Sequence, residues 1–148
     1  MKNKIHLELN KNSNIQWDEL YVLSGHWKSD LEFYRDDLRF LHHIIQKYLM
    51  WITTKVNMDM VRIMETNLKQ LAEKCEVLLK SVSNHQIEIG RFIDKSTDST
   101  VDRLQNEHVV FEEEIADFVK SFRNNRKEVF KITEYIIDSE KLPHILES

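Results

Sequence analysis

The sequence predicts an all-α protein, an antiparallel bundle of three long helices running up, down and up. Apolar residues recur in alternating steps of three and four over three long stretches, which is the spacing of one helix face. The connections between these stretches are short, and short connections favour antiparallel neighbours. The chain of 148 residues has only two glycines and one proline, well below the usual combined share of about 12%. Little turn-forming material means few turns, hence few and long helices. With 41% hydrophobic residues the chain is long enough for one core and short for two. The expected organisation is an N-terminal arm over 1–14, one bundle domain over 15–142 and a short tail over 143–148.

The opening stretch MKNKIHLELNKNSN lacks the continuous apolar run of a signal peptide. Its Ile5, Leu7 and Leu9 alternate with polar neighbours, so it reads as a partly ordered arm that adheres to the bundle. Asn14 is placed to cap the first helix, with Asp18 and Glu19 in its first turns, where the helix dipole favours acids. From there Trp17, Leu20, Ser24, Trp27, Leu31, Tyr34, Leu38, Leu41, Ile45, Tyr48 and Ile52 form one seam. Gly25 interrupts it at about 1 kcal/mol relative to alanine, which predicts close packing or a small bend.

The second helix begins near Val56 or Asn57 and carries Val61, Met64, Leu68, Leu71, Cys75, Leu78, Val82, His85, Ile89 and Phe92. The run DKSTDST ends it, with Ser96, Asp98 or Ser99 available as the next cap. The third helix carries Val101, Leu104, His108, Phe111, Ile115, Phe118, Phe122, Asn125, Val129, Ile132 and Ile136 and frays before Pro143. A break at Asn124–Asn125 would make four shorter helices of the three. Asn125 and Asn67 are the residues expected to interrupt the core with polar groups elsewhere along the seams.

Composition excludes several functions. A net charge of −4, from 21 basic and 25 acidic residues, offers no electrostatic drive toward nucleic acid. No run of about 18 apolar residues exists to span a membrane. Cys75 is the only cysteine, so no internal disulfide or thiolate cluster forms, which fits a cytoplasmic chain. Isolated glycines rule out a phosphate-binding loop, and neither HEXXH nor the Glu-x-x-His pairs of di-iron bundles occurs.

Two candidate sites remain. His85 and His108 interrupt apolar seams and are equidistant from the connection near Ser96–Thr97, so an antiparallel hairpin brings them to one level. Glu112 lies one turn from His108, and the register brings His26 and Asp30 of the first helix near the same level. Histidine nitrogens and carboxylate oxygens suit zinc, iron or manganese, so these five residues are the candidate metal ligands. The alternative is a hydrogen-bonded polar layer that sets helix register. The second candidate is a broken apolar line on the first helix, Leu23, Phe33, Phe40, Ile44 and Trp51, beside the main seam. A helix with two apolar faces in a three-helix chain needs a further partner. The expectation is therefore a structural or protein-interaction bundle, dimeric through Phe33, Phe40, Ile44 and Trp51, with a metal-binding and possibly enzymatic bundle as the alternative.

Overall fold

The computed structural model describes residues 14–94 and 98–141. They form three α-helices, α1 (Asn14–Leu49), α2 (Lys55–Asp94) and α3 (Asp98–Glu140), and among the described residues there is no strand. α3 runs unbroken through Asn124 and Asn125, so the four-helix variant is not formed. The arm residues Ile5, Leu7 and Leu9, the cap candidate Ser96, and Pro143 lie outside the described residues. No described helix is long and apolar enough to cross a membrane.

The described residues divide into two compact units, one within Met1–Glu32 and Val77–Asp117 and the other within Phe33–Glu76 and Phe118–Ser148. In the first, Tyr21 meets Gly90 and Gln86 meets Gly25, so α2 descends as α1 rises. Glu88 pairs with Arg103 and His85 with His108, so α2 and α3 are antiparallel as well. The core of this unit packs Trp17, Leu20, Ile89, Phe92 and Leu104, with the Trp17 and Phe92 rings tilted at a centroid distance of 4.3 Å. Each such side chain stabilises by roughly 1.5–3 kcal/mol on full burial.

The first unit also explains its glycine in α1. A Cβ at Gly25 would stand 2.8 Å from Gln86 Nε2, and that amide donates to the Tyr21 carbonyl at 3.4 Å. The near atom is the end of a flexible side chain, so a small shift of Gln86 would relieve the contact.

In the second unit Arg35 approaches Glu76 at 4.0 Å and His42 approaches Glu65 at 3.2 Å, again antiparallel. α1 and α3 run parallel here, because Tyr34 meets Phe122, Asp37 meets Arg126 and Ile44 meets Ile137 in rising order. Cys75 is fully buried, and burial, with Glu76 adding to it, pushes its thiol up to about 11. A thiol held protonated in this way is a small hydrophobe and a poor nucleophile.

The α1–α2 connection is where the second unit departs most from expectation. α1 stops at Leu49, with the Trp51 amide donating to the Tyr48 carbonyl at 2.9 Å, yet Ile52 beyond the helix end is still buried. Thr54 caps α2, its hydroxyl accepting from the Asn57 amide at 3.4 Å. The Glu140 carboxylate lies over this helix start. It accepts from the Thr53 amide and hydroxyl, the Thr54 amide and hydroxyl, and Asn57 Nδ2, at 2.8–3.3 Å.

Those donors favour the charged form, and Asn57, Thr53 and Thr54 lower the Glu140 carboxyl to about 2. The folded value is depressed, so the stabilisation is complete above the ordinary value of 4.5 and is lost as pH falls from there toward 2. Glu140→Gln is therefore expected to lower the melting temperature at pH 7 and to flatten its decline between pH 5 and 2. Equal acid sensitivity in thermal scans of parent and variant would remove this role for Glu140.

Candidate functional site

His85 and His108 are brought together as the hairpin register requires. Their neighbours on α2 and α3 follow the three-four seam, so both rings point into the core of the first unit. Each is 1% exposed. His85 Nε2 lies 3.1 Å from His108 Nδ1, and the ring centroids are 5.4 Å apart. The Trp27 indole stacks on His108 at 4.4 Å, and Phe111 closes on His85 at 4.9 Å.

The carboxylate that reaches His85 is Glu107, which lay outside the expected ligand set. Glu107 Oε2 is 3.4 Å from His85 Nδ1, and its other oxygen accepts from Arg103 Nη1 at 2.9 Å. Arg103 also donates to Glu88 at 2.7 Å. A connected polar chain thus runs from the exposed Arg103 through Glu107 to two enclosed rings.

This chain dictates where the protons sit. An ionised carboxylate only accepts, so His85 Nδ1 carries hydrogen and donates to Glu107. In the neutral ring Nε2 is then an acceptor, and His108 Nδ1 carries the hydrogen between the rings. Burial lowers the His85 pKa, against the opposing pull of the hydrogen bond and charge of Glu107. Adding a proton to His85 would set two N–H groups face to face unless His108 changes tautomer. The pair therefore accommodates one extra proton at most, and the neutral pair matches the enclosure.

The remaining candidate ligands are arranged differently. His26 and Asp30 are exposed on α1, and His26 lines a shallow groove of about 430 Å³ with Asp18, Glu19, Val22 and Leu23. Glu112 is half-buried one turn beyond His108. Among the described residues no group of three or more histidine, cysteine or acidic side chains is arranged to hold a metal ion. Rings this enclosed do not touch a dissolved substrate in this conformation.

The chain has no match among family models, curated proteins or solved structures. Its own surface is what remains to be read. On α1, Phe33 is 65% exposed, Phe40 53% and Trp51 43%. Phe33 and Phe40 are seven residues apart and share one helix face. Ile44 departs from the expected line. It is 5% exposed and packs with Tyr48 and Ile137, because α3 covers this stretch of α1 in the second unit. Trp51 stands in the turn after α1, edge-on to Tyr48 at 6.0 Å.

The polar residues of the seams also sort differently from expectation. Asn67 is exposed and Asn125 half-buried, whereas Asn57, Gln105 and Thr133 are buried. Periodicity marks the face of a helix, but its width depends on how closely the neighbours approach. Asn57 was legible only as part of a helix start, since its partners Ser139 and Glu140 are over 80 residues away.

Proposed function

We propose that this chain is a structural, protein-interaction module of the cytoplasm that self-associates as a dimer through the exposed face of α1. The observation that carries the reading is the pair Phe33 and Phe40, 65% and 53% exposed at a seven-residue spacing. Single exposed apolar residues are ordinary, but two phenylalanines on one face form a ridge that a symmetry-related copy can bury against its own. Trp51 in the following turn adds a third ring to the same unit.

The test is sedimentation velocity at 0.5 M salt, which screens charge contacts, on the parent and on Phe33→Ser with Phe40→Ser. The expected result is a parent dimer and a folded monomeric variant. A parent that is monomeric at about 100 µM would reject self-association by this face.

A metal-binding reading has one observation in its favour, the meeting of His85 and His108 at 3.1 Å. It requires both nitrogens to give up their mutual hydrogen bond and further ligands to move in. Metal content after incubation with zinc, iron and manganese decides it, and a stoichiometric ion lost on replacing both histidines would establish it.

A further inference from the structure

Within the second unit α2 and α3 leave a groove of about 550 Å³ between them. α2 lines it with Asn67, Gln70, Leu71 and Lys74. α3 lines it with Ser121, Asn124, Asn125 and Glu128. In each set the members stand three, four and seven residues after the first, so each wall is one helix face two turns long. Leu71 and Asn125 are half-buried and make the floor, and the other six are exposed.

The polar side chains of this groove do not hold the helices together. Among the described residues, none of the seven makes a hydrogen bond or ion pair with another protein group. Asn125 Oδ1 is buried and meets no donor among them. A buried acceptor without a donor costs folding stability, and a leucine there would continue the apolar seam from Phe122 to Val129. Donors and acceptors placed at that cost are available to a ligand.

The two charges of the groove stand at its opposite ends. Asn57 of α2 donates to Ser139 of α3 at 2.8 Å, and counting from there along the antiparallel pair brings Asn67 near the level of Glu128 and Lys74 near that of Ser121. Lys74 and Glu128 are therefore about 10 Å apart along the helix axis. The carboxamides Gln70, Asn124 and Asn125 lie between them, each with two N–H donors and an acceptor oxygen. A peptide main chain offers the complement, N–H for the oxygens and carbonyls for the amides, and about three extended residues span the same 10 Å.

We propose that this groove binds a short peptide with free termini, about three residues long. Its carboxylate sits at Lys74, its ammonium at Glu128, and its amides against Gln70, Asn124 and Asn125. Recognition through main chain and termini makes the site tolerant of the peptide's own side chains. The inference uses α2 and α3 and does not depend on the α1 ridge.

The test is a heteronuclear NMR titration of the full chain with trialanine, N-acetyl-trialanine and trialanine amide. Trialanine is expected to shift the side-chain amide signals of Asn67, Gln70, Asn124 and Asn125 and to saturate with a Kd of about 0.1–1 mM, as suits a ligand of this size. Acetylation and amidation each remove one charged contact and are expected to weaken binding by about three- to tenfold. Glu128→Gln is expected to weaken trialanine by that factor while leaving the acetylated peptide unchanged. Lys74→Met is expected to do the same while leaving the amide unchanged. Asn125→Leu is expected to weaken binding by about tenfold or more and to raise the urea midpoint, a combination that a packing role alone would not produce. Absence of shifts at about 10 mM trialanine would overturn the proposal. So would blocked peptides that bind as tightly as trialanine, charge variants that leave every Kd unchanged, or an Asn125→Leu variant that binds as the parent does.

Discussion

His108→Leu is expected to destabilise the protein by about 1–3 kcal/mol at pH 7.5, because it leaves His85 Nε2 facing hydrocarbon in a site 1% exposed. Changing both rings, His85→Leu with His108→Leu, is expected to recover most of that loss. Removing both partners of a buried hydrogen bond is nearly neutral where shape is kept, whereas removing one strands the other. The expected double-mutant coupling is therefore large and favourable to the pair.

The same variants carry a pH signature. Burial holds the folded His85 below its ordinary value of 6.5. The unfolded chain then binds more protons, so stability is complete above about 6.5 and falls as pH drops below it, toward the lower folded value. The parent is expected to lose stability between pH 7.5 and 5.5, and the double leucine variant to lose less. Urea unfolding at the two pH values reads both effects. A double variant as unstable as the single one, with the parent's pH slope intact, would remove the hydrogen-bonded pair as their cause.

The second large effect is expected at Phe118. Its side chain is fully buried in the second unit, with Tyr34 and Phe122 at ring distances of 6.0 and 6.4 Å. Phe118→Ala removes its transfer free energy and leaves a cavity that the surrounding side chains close only in part, at a cost of about 3–5 kcal/mol. By contrast Phe33→Ala, at a site 65% exposed, is expected to change stability by less than about 0.5 kcal/mol at monomeric concentration. Denaturant midpoints for the two variants separate a packed ring from a presented one, and a Phe118→Ala loss below about 1 kcal/mol would contradict the packing described.

The helices were legible because a seam of three-four steps has only one regular solution. From Trp17 to Ile52, just past the end of α1, that line is buried at every position except Tyr34, which is half-buried against Phe118 and Phe122. The meeting of His85 and His108 was legible for a related reason, since an antiparallel hairpin with a short polar turn fixes level by counting residues. Glu107 was not, because it lies one position from His108 and off the seam, where periodicity carries no information. It reaches His85 only because α2 and α3 approach closely enough for a flank residue to bridge them.

Ile44 and Glu140 show the same division from opposite sides. Ile44 belongs by spacing with Phe33 and Phe40, and its burial follows from α3 lying across that stretch of α1. Glu140 has nothing in its own sequence neighbourhood to mark it, and its donors come from Thr53, Thr54 and Asn57. By itself the sequence determined the helices, their seams and the level at which the histidines meet, because these depend on contacts a few residues apart and on the length of a turn. Tertiary structure alone decided which flank residues close into the core, which carboxylate holds which donor and which apolar side chains stay presented, because those depend on the distance between helices far apart in the chain.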